Sequence, residues 1–262
     1  MTRSTYSGAI PIERQRKILD ELRGRGVVAV DKLVELLGVS ESTIRRDLED
    51  MSKKGLVSRT HGGAVSPSFS TAYEKTYAEK KMMFFEEKRR IGSAAAKLVA
   101  DGETVILDSG STTFEVARHL TSRRGLKIIT NDLSITGEVD YDPSNSVILT
   151  GGLYSKGLNL LAGSETENFY RNIRVNKAFL AADAIDMKNG VFNAAMEDAS
   201  VKKVILEVAR EVILVSDHSK FGRTSLSKVC DIAQLHMIIT DRGLDQSYQQ
   251  ELRRMNSNFM LV

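Results

Sequence analysis

Little in this chain invites covalent or metal chemistry. One residue of 262 is cysteine, Cys230, so no internal disulfide can form. Histidine occurs four times, as His61, His119, His218 and His236, never at metal-ligand spacing to cysteine or another histidine. Neither zinc nor any other cofactor is therefore expected. There is no run of 18 apolar residues and no basic-then-apolar start of the kind that marks a signal peptide, which argues for a soluble, cytoplasmic protein. Charge of one sign is scarce as well, with a net excess of only +3. It is unevenly spread: residues 1–66 carry 12 Lys and Arg against 9 Asp and Glu, and the remainder is balanced. A basic segment joined to a neutral body hints at nucleic acid. A hydrophobic content of 42% is enough for buried cores, and the length suits two domains.

The first quarter reads as helices separated by short turns. Ile12, Ile18, Leu19 and Leu22 fall within a helix stopped by Gly24 and Gly26. Asp31 is a candidate N-cap for a second helix with Leu33, Leu36 and Leu37 on its apolar face, and Gly38 suits its C-terminus. A third helix restarts in "SESTIRRDLEDMSKKG" behind Ser40, with Ile44, Leu48 and Met51 facing inward together with Val39. Such a pair forms a helix-turn-helix, whose second helix enters the major groove by its N-terminal residues. Ser40, Ser42, Thr43, Arg45 and Arg46 are then the candidate DNA contacts, since arginine pairs with guanine edges or phosphate and hydroxyls serve bases or backbone. In "LVSRTHGGAV" a ribbon turned by Gly62 and Gly63 directs Arg59 and His61 outward as a wing. A helix pair alone is common structural furniture. The composite with the arginine-bearing helix and the glycine-turned ribbon favours DNA.

Residues 67–80 read as a linker, and residues 81–262 as a second domain. The run Lys88, Arg89 and Arg90 reads as a solvated helix face. Beyond it, short apolar runs at 104–108, 127–130, 147–150, 178–183, 212–217 and 237–241 alternate mostly with helical stretches, the pattern of a parallel sheet covered on both faces. Each run ends in Thr or Asp, which puts Asp108, Thr130, Thr150, Asp183, Asp217 and Asp241 around one rim, where some will only cap the next helix. In "LDSGSTTFEVARHL", Gly110, Ser111, Thr112 and Thr113 stand where a strand hands over to a helix and can cradle a phosphate, or merely cap that helix. Gly151 and Gly152 leave room for a ligand beside the backbone, Lys220 offers a cation, and Asp183, Asp186, Glu197 and Asp198 offer carboxylates for sugar hydroxyls.

The segment "SESTIRRDLEDMSKKGLVSRTHGGAV" closely resembles the winged helix-turn-helix signature of the DeoR family of bacterial transcription regulators. The later segments "LDSGSTTFEVARHL", "TND" with Asn131, "LTGG", "AADAID" and "SDHSKFGR" are similar in order and spacing to its effector domain. The resemblance implies a winged helix-turn-helix joined to a Rossmann-like α/β domain similar to ribose-5-phosphate isomerase. It implies a repressor of a sugar-catabolism operon, of amino-sugar or galactose type, that releases its operator on binding a phosphorylated sugar. The chain departs from the family pattern at Ser111, which keeps a hydroxyl where threonine is usual, at Ala184 in place of a glycine, and at Ala194 and Ala195, where polar groups are lost. The competing reading is a sugar-phosphate isomerase or deaminase with a DNA-binding appendage. Such an enzyme needs an acid and a base beside a carbonyl, yet no histidine lies in the carboxylate-rich stretch. A DNA reader fused to a ligand site is already a complete switch without turnover. The expected partners are operator DNA, a phosphorylated sugar or amino sugar, and one or three further copies of the chain, because helix-turn-helix proteins commonly read two half-sites.

Overall fold

The computed structural model describes residues 11–25, 27–53, 56–60, 62–65 and 75–262. The chain divides into two compact units, Met1–Tyr73 and Glu74–Val262. The first contains α1 (Pro11–Arg25), β1 (Val27–Ala29), α2 (Val30–Leu37), α3 (Glu41–Lys53), β2 (Ser58–Thr60) and β3 (Gly63–Val65). Ile18, Leu22, Leu33, Leu37, Ile44, Leu48 and Met51 close its core. Each fully buried aliphatic side chain there contributes roughly 1.5–3 kcal/mol.

Two details of α2 differ from the sequence pattern. Its buried stripe is Val30, Leu33 and Leu37, while Leu36 is 44% exposed, because the helix begins at Val30 and turns that residue outward. Asp31 is not the cap, a position held by Ala29, but lies in the first turn, where a carboxylate still faces the positive end of the helix dipole. Gly38 ends the helix in the left-handed region, its N–H donating to the Val34 carbonyl at 2.9 Å. The segment before α2 forms β1, which the helical pattern concealed. It pairs antiparallel with β3, which in turn pairs with β2. Gly63 in the central strand has no room for a Cβ, which would run into the Val28 carbonyl.

The second unit starts with α4 (Tyr77–Met82) and α5 (Phe85–Ala96). A capping box begins α4, since Thr76 Oγ1 accepts from the Glu79 N–H and Glu79 Oε2 from the Thr76 N–H at 2.8 Å. Part of the stretch expected as linker is therefore helical. There follow β4 (Thr104–Leu107), α6 (Ser111–Arg118), β5 (Lys127–Thr130), α7 (Leu133–Gly137), β6 (Ser146–Leu149), β7 (Leu153–Ser155), β8 (Leu160–Ala162) and α8 (Ser164–Arg171). The chain continues with β9 (Val175–Leu180), β10 (Ala184–Asp186), β11 (Gly190–Asn193), α9 (Met196–Val208), β12 (Ala209–Val215), β13 (Ser227–Cys230), β14 (Met237–Thr240), α10 (Gln246–Arg254) and β15 (Phe259–Leu261).

Seven of these strands form one sheet in the order β15-β14-β12-β9-β4-β5-β6, parallel throughout. The continuous apolar runs follow from its two buried faces. Ile106, Ala178, Leu214 and Ile238 pack on one side with Tyr170 and Ile205, whereas Val105, Leu107, Phe179, Val215 and Ile239 pack on the other with Ile91 and Phe114. The hairpin β7–β8 and the antiparallel trio β10–β11–β13 stand outside this sheet. From β4 the chain steps to β5 and β6 on one side, and it later returns through β9 on the other. The switch point of the topology thus lies between β4 and β9, and open α/β sheets gather ligands outside the carboxyl ends of strands at such a point.

Candidate functional site

In the first unit the outer face of α3 is polar because its inner face holds Ile44, Leu48 and Met51. Ser42, Arg45 and Arg46 are exposed, and Thr43 is half-buried. Ser40 fixes the helix start, with Oγ accepting from the Thr43 N–H at 3.2 Å and lying 2.9 Å from Ser42 Oγ. Arg45 Nη2 reaches Glu41 Oε1 at 2.5 Å in a pair largely open to water, which is worth little in itself and is easily exchanged. Arg14 donates to the buried Asp47 carboxylate at 2.7 and 3.0 Å and so ties α1 to the inner side of α3. Arg59 on β2 is exposed, and His61 lies outside the described residues.

In the second unit a cavity of about 40 Å3 opens at the β4/β9 switch point. One wall is the turn Ser109–Thr112. The N–H groups in the first turn of α6 are those that a helix leaves without an internal acceptor, so they and the dipole behind them favour an anion. Gly110 is required here, because a Cβ would come within 2.8 Å of the Ala181 side chain. Its N–H donates to Asp132 Oδ2 at 3.1 Å. The opposite wall is Ala181–Asp183, and Lys80 of α4, Lys88 of α5 and Lys220 complete the rim.

The floor is a buried network of charges. Lys202 of α9 donates to Asp108 Oδ2 and lies 3.3 Å from Asp198 Oδ2, and the Ala181 N–H donates to Asp108 Oδ2 at 2.9 Å. Asn193 Nδ2 donates to Asp198 at 2.6 Å, and Ser109 Oγ donates to Asp198 at 3.3 Å. Asn193 Oδ1, itself buried at the cavity, has no hydrogen-bond partner among the described residues. Burial pushes the Asp108 carboxyl up to about 6 against the pull of Lys202. For Lys202, burial works to lower the ammonium's pKa, but Asp108 and Asp198 outweigh it and hold it above the ordinary lysine value.

At the rim, burial favours a neutral Asp183, yet Lys80, at 2.8 Å, and Lys220 hold its carboxyl down at about 2. Burial lowers Lys220, whose ammonium has no ion-pair partner among the described residues, and takes Lys88 down to about 8. Four lysines against the carboxylates Asp183 and Asp198 leave the lining cationic.

The sequences of both units match known protein families. Residues 14–69 match the DeoR-like helix-turn-helix domain, and residues 84–242 match the DeoR C-terminal sensor domain. The chain belongs to the DeoR family. Its relatives include the transcriptional repressor AccR of Agrobacterium fabrum, 38% identical over 95% of this chain and 97% of that one. Another is the putative aga operon transcriptional repressor of Escherichia coli O157:H7, 34% identical over 95% and 93%. Among solved structures, D-ribose-5-phosphate isomerase in complex with phospho-erythronic acid is 17% identical over 53% of this chain and 55% of that one, at a TM-score of 0.39. This DeoR-family protein is a DNA-binding transcription regulator, not an enzyme. Among the described residues no helix is long and apolar enough to cross a membrane.

The regulator's sensor unit brings only some of the sequence-derived candidates to the cavity. Gly110, Ser111, Thr112, Asp183 and Lys220 line it. Asp108 is buried beneath it. Thr113 turns its hydroxyl back to the Gly110 carbonyl at 2.8 Å, and Asn131 holds the Leu161 carbonyl at 2.9 Å. Gly151 and Gly152 are exposed away from the cavity, and Gly152 serves packing, since a Cβ would strike Thr166. Glu197 is exposed on the first turn of α9, whereas its neighbour Asp198 faces inward. Asp198, one of the carboxylates offered by the sequence, lines the cavity, and the structure adds Lys80, Lys88, Asn193 and Lys202. Lys88 corrects the reading of its run as a solvated face: Arg89 and Arg90 are exposed, but Lys88 is buried and donates to the carbonyls of Lys80 and Met83. The sequence did carry one signal for the floor, because Asp198 and Lys202 stand at i and i+4, with Lys202 set among Val201, Val204 and Ile205.

Proposed function

We propose that this regulator is a repressor whose affinity for operator DNA is changed by a phosphorylated sugar bound in the cavity between β4 and β9. The observation that carries the reading is the convergence of the α6 N-terminus, Lys80, Lys88 and Lys220 on one small space, with the acceptors Asp183, Asn193 and Asp198 beside it. Helix N–H groups and ammonium groups suit a phosphate; carboxylate and amide oxygens suit the hydroxyls or amine of a sugar. Its relatives AccR, a transcriptional repressor, and the putative aga operon transcriptional repressor support the sign of regulation.

In this reading Ser42, Thr43, Arg45 and Arg46 meet the major groove, Ser40 positions their helix, and Arg59 and His61 meet the backbone. Ser111, Thr112 and Lys220 grip phosphate, with Gly110 leaving room beside them, while Asp183 and Asp198 hold the sugar. The protein works in the cytoplasm as a dimer or tetramer, because one small module rarely supplies enough specific affinity. A thermal-shift screen of the full chain against phosphorylated sugars, amino-sugar phosphates and their unphosphorylated parents tests the effector class, since a ligand of the native state raises apparent stability. The expected result is a phosphate-dependent shift whose compound also changes operator binding. A shift with the parent sugars alone would overturn the phosphate assignment, and a monomer in light scattering, free and on DNA, would overturn the oligomer.

A further inference from the structure

The cavity is too small for the ligand class just proposed. At about 40 Å3 it falls far below the roughly 300–1,000 Å3 of small-molecule sites, so a sugar phosphate enters only if a wall moves. Most walls are anchored in the core. Ser109–Thr112 joins β4 to a buried helix turn, Ala181–Asp183 leaves the central strand β9, and Asp198 and Lys202 lie on α9 beneath the sheet. The wall made by α4 differs. This helix has six residues, and Met82 near its end is 85% exposed.

Tyr77 is the one buried side chain of α4, and otherwise polar contacts hold the helix down. The Tyr77 N–H donates to the Gly157 carbonyl at 2.9 Å, Lys81 pairs with Glu138 at 2.7 Å and lies 4.5 Å from the centre of the Phe114 ring, and Lys88 binds the carbonyls of Lys80 and Met83. Lys80 to Asp183, at 2.8 Å, is the ion pair by which α4 reaches into the cavity, with side chains 17% and 14% exposed. In sequence α4 is also the first helix of the sensor unit, which begins at Glu74.

We propose that α4 is a lid on the effector cavity and that the Lys80–Asp183 pair is its latch, opened when a phosphorylated ligand takes the Lys80 ammonium from the carboxylate. The proposal rests on the effector site argued above. A phosphate monoester brings a charge near −2 and three acceptor oxygens against the single charge of Asp183, so it outcompetes the carboxylate for a shared lysine. Asp183, freed of Lys80, is then available to the sugar hydroxyls, and Lys220 at the same rim offers the phosphate a second contact. Release of the latch frees α4, the first helix of the sensor unit. Ligand binding is thereby linked to operator affinity through one two-state element.

The test uses the full chain, a duplex selected by the wild-type protein from a random library, and inorganic phosphate and a panel of aldose and ketose phosphates as probes. Lys80→Met and Asp183→Asn both remove the latch. Without any ligand they should show the operator affinity that wild type shows with its best probe, a change in the five- to 150-fold range of ordinary coupling. Backbone amides of α4 should exchange faster in both variants and in liganded wild type. Should either variant fold poorly, Glu138→Gln frees Lys81 on the outer side of the same helix and should produce a smaller change in the same direction. Variants that keep unliganded operator affinity and α4 protection at wild-type values, and lose only the response to ligand, would overturn the latch while leaving the effector site standing. A wild type that binds none of the probes removes the effector reading instead, and the unliganded affinities still decide whether α4 is latched.

Discussion

Apart from the largely buried Arg14–Asp47 pair that ties α1 to α3, the two units of this regulator keep their charges in opposite places. In the DNA-binding unit an apolar core of Ile18, Leu33, Ile44 and Leu48 supports a helix whose arginines stand in water. In the sensor unit Lys202, Asp108, Asp198, Asp132 and Lys88 are all buried. The difference follows from where each ligand arrives. DNA meets a surface, and an exposed arginine needs no desolvation until the complex forms. A small anion must be enclosed to be recognised, so the groups that hold it and the groups that orient those must leave water when the chain folds, which is costly unless they are paired. Function should therefore be nearly independent of stability in one unit and bound up with it in the other.

The sharpest way to break that comparison is Lys202→Met. Removing the lysine leaves Asp108 and Asp198 as neighbouring buried carboxyls, and loss of one member of a buried ion pair costs about 3–5 kcal/mol. Urea unfolding followed at the sensor unit should record that loss. A change below about 1 kcal/mol would mean that water reaches the floor of the cavity and that the network is not structural.

Next in size is a dependence on pH. Burial raises the Asp132 carboxyl to about 7, against the N–H groups of Gly110, Ser134 and Ile135 that bind its charged form. The folded protein then keeps a proton that the unfolded chain releases near pH 4, so Asp132 makes the sensor unit less stable as pH rises from about 4 to about 7, by a few kcal/mol in all. Asp108 acts in the same direction up to about 6. Asp183, held at about 2, acts oppositely and lower: its contribution is present above pH 4 and fades as pH falls towards 2. Asp132→Asn should flatten the slope between pH 4 and 7 in unfolding free energies measured at a series of pH values. An unchanged slope would show that Asp132 is ionised in the folded state.

These contrasts also explain what could be read in advance. The apolar runs at 104–108, 127–130 and 237–241 announced buried parallel strands because alternate residues of each enter different cores, as Ile106 and Leu107 do. By contrast β15, three residues long, lacks the length to stand out. The arginines of α3 were legible because an apolar stripe at 44, 48 and 51 fixes which face is free. Lys80 and Lys88 were not, since a lysine on a helix looks solvated until tertiary packing encloses it. Gly110 and Lys220 could be found from strand-end position alone, but Asn131 and Gly152 share that kind of position and were taken by local hydrogen bonding and packing instead.

On the exposed side of the comparison, Arg46→Ala should leave unfolding free energy within about 0.5 kcal/mol of wild type. Operator binding should weaken by about 1–3 kcal/mol if the guanidinium reads a base edge. Binding unchanged in both this variant and Arg45→Ala would remove α3 as the recognition helix. Such a result would also erase the separation of function from stability that distinguishes this unit.

The smallest expected effect falls on the wing. Arg59 is exposed on β2, a three-residue edge strand, and in the proposed reading it meets the phosphate backbone. A contact of that kind is independent of sequence and acts by releasing a counterion. Arg59→Ala should therefore weaken binding to specific and unrelated duplexes alike, and reduce the slope of log affinity against log salt by about 1. Titrations at several salt concentrations on both duplexes separate the outcomes. Equal loss with a shallower slope identifies a backbone contact; loss confined to the specific duplex with an unchanged slope would make the wing a reader of bases and extend the recognition surface beyond α3.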